Sequence, residues 1–197
     1  MARRGMVLDI HDYNEQTAGA EKQVRESEIS ARNKQLIFGY RDACLLKGTC
    51  GRVRLIRVLG FLLLAARTIK KDFDTLTRAD VEAFLTALLS RNPPYSPETM
   101  GTYKAITKSF LTWVVMPNDF PTRSPPALVS WITCHVRRRY KKRLERKDLL
   151  TPEDVEKLLS VCHNTRDKAM IALLWETGCR VSEIGNLQLK HVTKMEH

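Results

Sequence analysis

Arg180 is the residue with the most chemistry to offer. It follows Glu176-Thr-Gly-Cys179 and opens the run Val-Ser-Glu-Ile-Gly-Asn-Leu187. A guanidinium is permanently charged and presents a fork of donors that fits two oxygens of a phosphate. A place after a Thr-Gly turn, at the mouth of a new helix, adds free backbone N–H groups and the positive helix end. Glu183 lies three residues on, and from the spacing alone the two read as an ordinary surface ion pair. Other reactive groups are scattered. The tyrosines at 13, 40, 95, 103 and 140 all precede Arg180, and so do two His-x-x-Arg strings, His135 to Arg138 and His163 to Arg166. The five cysteines are odd in number and include no Cys-x-x-Cys. Cys134-His135 and Cys162-His163 are adjacent pairs rather than spaced ligand sets, so no metal site is expected and the thiols are read as reduced.

The net charge of +11 is concentrated. Residues 32–71 hold ten basic groups and one acidic, and residues 137–147 hold eight and one, while the rest of the chain is slightly acidic. A merely solvated surface has no need of such islands. They point to a polyanion, with nucleic acid the natural partner. The longest apolar run, Val58 to Ala66, is nine residues, too short to span a membrane. The basic start lacks an apolar stretch and a cleavage site, so no signal peptide is expected. A cytoplasmic, nucleoid-associated protein is the expectation.

The elements that must position these groups are helical; strand signals are nearly absent. Residues 1–32 are polar and acidic and are read as a flexible arm, with a helical turn within 20–32. A helix over 33–46 places Leu36, Ile37, Tyr40, Ala43 and Cys44 on one face. After Gly48 and Gly51, a helix from about Arg52 to Thr68 buries Leu55, Leu59, Leu62, Leu63 and Ala66 and leaves Arg54 and Arg57 outside that stripe. Thr77-Arg-Ala-Asp80 reads as a capping box before Val81, Phe84, Leu85 and Leu88. Ser96-Pro-Glu98 starts a helix that buries Tyr103, Ile106, Phe110 and Trp113 and sets Lys104 and Lys108 on one exposed face. Prolines 117, 121, 125 and 126 begin a linker over 117–148, in which Leu128, Trp131, Ile132 and His135 form a short helix leading into Arg137-Arg-Arg-Tyr-Lys-Lys-Arg143. Thr151-Pro-Glu-Asp154 is a second capping box, with Val155, Leu158, Leu159 and Cys162 behind it. A further helix, about Arg166 to Glu176, ends at Gly178 in a left-handed cap, another begins near Arg180, and a strand is expected to start at His191.

Two helical units joined by a basic linker resemble the tyrosine recombinase (phage integrase, Xer-type) family. Residues 33–116, through Gly51-Arg-Val-Arg-Leu-Ile-Arg57, Leu76-Thr-Arg-Ala-Asp-Val-Glu-Ala-Phe84, Ser96-Pro-Glu-Thr-Met-Gly-Thr-Tyr103 and Phe110-Leu-Thr-Trp113, resemble its SAM-like four-helix core-binding domain. Residues 149–197 resemble the beginning of its α+β catalytic domain. They do so through Leu150-Thr-Pro-Glu-Asp-Val-Glu-Lys-Leu158, Arg166-Asp-Lys-Ala-Met-Ile-Ala-Leu-Leu174 and Thr177-Gly-Cys-Arg-Val-Ser-Glu183. The resemblance implies an all-α chain here and makes Arg180 the first catalytic arginine, with Glu183 supporting it. In that family a tyrosine attacks a DNA phosphodiester to give a 3′-phosphotyrosyl bond, with no metal or nucleotide cofactor, and the two domains clamp the duplex. Arg54, Arg57, Lys104, Lys108, Arg137, Arg138, Arg139, Lys141, Lys142 and Arg143 are the residues expected to meet double-stranded DNA, and other recombinase protomers are further partners. Tyr140 is read as packing rather than stacking on a base.

The departure from the family is that 17 residues follow Arg180, and its hairpin lysine, His-x-x-Arg, further His or Trp and nucleophilic Tyr are not among them. Lys190 and Lys194 come too early for the hairpin. A truncated recombinase, inactive alone, is therefore expected. A non-catalytic DNA-binding protein on the same scaffold, occupying recombination sites or pairing with intact recombinase, is the alternative. An unrelated helical regulator fits the charge but leaves 150–187 unexplained.

Overall fold

The computed structural model describes residues 12–135, 145–191 and 193. These fall into two units, the first over residues 12–135 and the second from residue 145 onward. Among the described residues there are helices and short 3-10 turns and no strand, as expected for an all-α chain. His191 ends a 3-10 turn, Leu189–His191, instead of starting a strand.

The first unit contains α1 (Tyr13–Glu26), α2 (Ala31–Leu46), α3 (Arg52–Ile69), α4 (Arg78–Leu89), α5 (Pro97–Val115) and the one-turn α6 (Ala127–Ser130). The expected helices appear at α2 to α5, with their caps. Ser30 accepts from the Asn33 N–H, Thr77 from Asp80 and Ser96 from Thr99. Each cap satisfies an N–H that the helix itself cannot. All five residues of the predicted α3 stripe are buried, and Leu59 is wholly inaccessible. Phe110 is the centre of an aromatic cluster, its ring edge-on to Phe73 at 4.8 Å and to Tyr40 at 5.3 Å. Burying a side chain of this size contributes about 1.5–3 kcal/mol, and edge contacts add to it. Tyr103 and Trp113 are only half-buried. Trp113 comes so close to α2 that a Cβ at Gly39 would sit 2.8 Å from its ring, which explains glycine inside that helix.

Two expectations are corrected in this unit. From Asp12 onward the segment 1–32 is not an arm: α1 packs along α3 and α2, and Val24 is fully buried. Its hold is mostly polar. Glu21 pairs with Arg25 at 3.1 Å and with Arg41 of α2 at 2.9 Å, while both guanidiniums lie over the Phe38 ring. Arg52 of α3 donates to Asn14. The covered face of α1, Tyr13, Thr17, Ala20 and Val24, falls at helical spacing, but Val24 alone on it is both strongly apolar and buried, so the period is faint in the sequence. The linker expected over 117–148 is likewise part of this unit as far as His135. Phe120, Val129 and Ile132 are buried, and α6 stops at Ser130, short of the helix expected to run into the basic segment.

Asn33 is a buried polar residue that no pattern flags. Its amide donates to the Lys71 carbonyl at 3.0 Å and accepts from the Phe73 N–H at 2.9 Å, tying α2 to the connection after α3. Both bonds are made, so the burial cost is offset. On the same connection Lys71 donates to Asp80 at 2.5 Å, and the Thr77 hydroxyl and N–H donate to it as well. Lys71, then Thr77, hold the Asp80 carboxyl well below the usual carboxylate range. A depressed folded pKa stabilises above the unfolded value of about 3.9, and that contribution is lost as pH falls below it. Asp80→Asn is therefore expected to lower the thermal midpoint at pH 7 by a few degrees, with the gap to wild type closing below about pH 4. A gap of constant size in melts from pH 7 to pH 2 would rule this out.

The second unit contains a 3-10 turn, Arg146–Asp148, then α7 (Pro152–Val161), α8 (Thr165–Thr177) and α9 (Val181–Gly185). Its local signals are realised. The Thr151–Asp154 capping box forms, with the Asp154 N–H at 3.3 Å from the Thr151 hydroxyl and the Thr151 N–H at 3.1 Å from the Asp154 carboxylate. Asn164 accepts from the Asp167 N–H at 2.7 Å. Gly178 takes φ +63 and donates to Leu174, the left-handed cap expected there. The predicted apolar stripe of α7 is only partly covered: Val155 is buried, Leu159 and Cys162 are half-buried, and Leu158 is exposed. On α8 no residue is fully buried, and Trp175 is 43% exposed.

Candidate functional site

Arg180 stands at the N-cap of α9 in an extended conformation, two residues after the left-handed Gly178. Glu183 folds back over the helix start. Its carboxylate accepts the Arg180 backbone N–H at 2.7 Å and lies 3.6 Å from the guanidinium. This is half a capping box, because an arginine side chain has no acceptor to offer in return. The carboxylate thereby fixes the main chain at Arg180 more firmly than it fixes the guanidinium, whose side chain is 85% exposed. A permanently charged fork on a pinned backbone is able to receive a phosphate. The helix behind it has only five residues, so the macrodipole expected to assist is small and the guanidinium supplies nearly all the local positive charge.

The DNA-binding candidates are distributed unequally. Arg54 and Arg57 are exposed on α3, whose N-terminal end carries them beside the buried Leu55 and Leu59. Arg57 lies close enough to Tyr103 of α5 to favour its ionised form slightly, although burial pushes that phenol up overall. Lys104 is half-buried on α5. Lys108 does not share a free face with it: its ammonium donates to the carbonyls of Ile132 at 3.0 Å and Ser130 at 3.4 Å. Arg137, Arg138, Arg139, Lys141, Lys142 and Arg143, together with Tyr140, lie outside the described residues. Arg91 was not anticipated. Its guanidinium sits 4.4 Å from the centre of the Tyr95 ring, which meets Tyr103 edge-on at 5.1 Å, adding a cation to the Tyr103 surface. A single arginine before a Pro-Pro turn gives no sequence signal of this.

The tyrosines are held in ways that bear on nucleophilicity. Tyr40 is buried, donates to the Ser109 hydroxyl at 2.8 Å, and burial pushes its phenol far up. Tyr103 is stacked on Phe61 at 4.3 Å. Burial raises both phenols above their ordinary value, so neither is activated as a nucleophile. His135 is exposed at the end of the first unit and His163 at the turn before α8. Among the described residues no helix is long and apolar enough to cross a membrane, and the cysteines at 44, 50, 134, 162 and 179 are free thiols.

Residues 148–197, which include Arg180 and Glu183, match the phage integrase family. Over 126 residues the chain is 25% identical to the tyrosine recombinase XerA of Saccharolobus solfataricus, covering 63% of this chain and 40% of that protein. It is 29% identical over 127 residues to the tyrosine recombinase XerD of Oceanobacillus iheyensis, covering 62% and 39%. A shorter stretch of 43 residues is 46% identical to the tyrosine recombinase XerA of Pyrococcus horikoshii, covering 22% and 15%. No solved structure matches. The two longer similarities exceed twice the length of 148–197, so they take in helices of the first unit as well. The chain spans about two fifths of the length of those two relatives. The arginine motif thus lies inside the segment that matches the phage integrase family, and the similarity to tyrosine recombinases extends into the helices of the first unit.

Proposed function

We propose that this chain is the DNA-gripping portion of a site-specific tyrosine recombinase. The observation that carries the reading is Arg180, with Glu183 on its backbone, inside the segment that matches the phage integrase family. In this reading residues 12–135 act as the core-binding domain and residues 145–193 as the first part of the catalytic domain. Arg54, Arg57, Lys104 and the basic residues between 137 and 143 meet phosphates of the duplex. Such contacts fix position and carry little sequence information. Arg180 holds two oxygens of the scissile phosphate. When a tyrosine oxygen bonds to phosphorus and the 5′-oxygen leaves with a proton, the guanidinium neutralises the charge that builds on the phosphorane. Glu183 keeps that arginine in place and takes no part in proton transfer. The setting is the cytoplasm, on the nucleoid, among other recombinase protomers.

A second reading is a non-catalytic DNA-binding protein on the same scaffold that occupies recombination sites or pairs with intact recombinase. In it, as in the first reading, neither the buried Tyr40 nor Tyr103, stacked on Phe61, serves as a nucleophile. Both readings require DNA binding, and a fluorescence titration with a labelled duplex tests it. With about six phosphates neutralised, log affinity is expected to fall against log salt with a slope of roughly −5, about a 10³-fold loss between 50 and 200 mM. A slope near zero contradicts both.

A further inference from the structure

We infer that Lys108 is a latch that fixes where the basic run leaves the helical unit, a positioning residue and not a phosphate contact. After α5 the chain passes Pro117, returns across the unit and buries Phe120, Val129 and Ile132. The Phe120 ring reaches Tyr40 at 5.6 Å. The one-turn α6 ends with the Ser130 and Ile132 carbonyls beyond any helical donor, and the Lys108 ammonium supplies both with one. Beside them the Trp131 indole donates to the Leu128 carbonyl at 2.8 Å, and Arg78 of α4 covers its ring at 5.2 Å. Thus α4 and α5 grip the same short stretch, at 128–132, from two sides. A lysine spent on two main-chain carbonyls is not free for DNA.

The consequence is a matter of tether length. Arg137 is five positions on from Ile132, so the chain allows the basic run to begin no farther than about 18 Å from the latch. Released back to Pro117, the same arginine would hang on twenty residues, a reach of about 70 Å. Effective concentration falls roughly as the −3/2 power of tether length, so full release lowers DNA affinity about eightfold without removing one contact. That consequence rests on the DNA-binding reading above; the latch itself does not.

Arg123, exposed in the returning segment, reports release. In the full chain without DNA, Lys108→Met is expected to raise the rate of trypsin cleavage after Arg123, followed by mass spectrometry, about tenfold, since cleavage tracks the open population. Lys108→Arg, which still offers two donors, is expected to stay within about threefold of wild type. An unchanged rate after Arg123 overturns the latch. Equal acceleration after Arg57 and Arg67 in α3 also overturns it, because the whole unit would then have loosened. On DNA, Lys108→Met is expected to keep the wild-type salt slope. A slope flatter by about 0.9, with Arg123 cleavage unchanged, would make Lys108 a phosphate contact instead. Failure of the wild-type chain to bind DNA removes the DNA reading but leaves the proteolysis result to decide the latch.

Discussion

Replacing Arg137, Arg138, Arg139, Lys141, Lys142 and Arg143 together by glutamine is expected to weaken duplex binding by about 500-fold at 0.1 M salt. That is the loss when three of the six cease to neutralise phosphates, each contributing about 0.9 of a decade. The salt slope should flatten by about 2.7 at the same time. The loss should be the same for any duplex sequence, because guanidinium and ammonium contacts to phosphate position the protein without reading bases. Fluorescence titrations with two unrelated duplexes check both points. A loss below about threefold would place the DNA contacts elsewhere, and a loss confined to one duplex would make the run a reader of bases. The helical unit should be untouched by the change, since its described core ends at Ile132.

The second expected result concerns Arg180. The 197-residue chain is expected to form no covalent adduct with a suicide DNA substrate. Burial raises the phenols of Tyr40 and Tyr103 and activates neither, and the five tyrosines of these 197 residues all precede the arginine motif. Arg180→Ala in this chain should cost less than about tenfold in affinity, as one phosphate contact among several. In a chain extended by the remaining catalytic segment of a Xer-type relative, the same change should lower strand cleavage by about 10²–10³-fold. Arg180→Lys should rescue little of this, because an ammonium replaces the charge but not the fork. Gel separation of the covalent species after denaturation reads each case. An adduct formed by the 197-residue chain would mean that one of its five tyrosines reacts. Full cleavage by the extended Arg180→Ala variant would remove the catalytic role assigned to this residue.

Local signals carried the sequence far in this protein. The capping boxes at Thr77 and Thr151, the caps at Ser96 and Gly178, and the stripe of α3 are each fixed by residues within one or two turns of each other. Sequence spacing therefore states them completely. The arginine motif was legible for the same reason: Arg180, Glu183 and the Thr-Gly turn are neighbours in the chain. What the sequence could not determine involves partners far apart in it. The docking of α1 depends on Glu21 meeting Arg41 and on Phe38 lying beneath two guanidiniums, and a polar helix advertises no such face. Asn33 gains its meaning from Lys71 and Phe73. Four prolines and the basic run after them made 117–148 read as one linker, yet Phe120, Val129 and Ile132 are buried against the helical unit that precedes them in the chain. Lys104 and Lys108, four apart on one helix, are equivalent by period, and only the return of the chain over α5 spends Lys108 on backbone carbonyls. Charge and helical period specify what a residue can do, whereas the distant segment that folds against it decides which of those things it does.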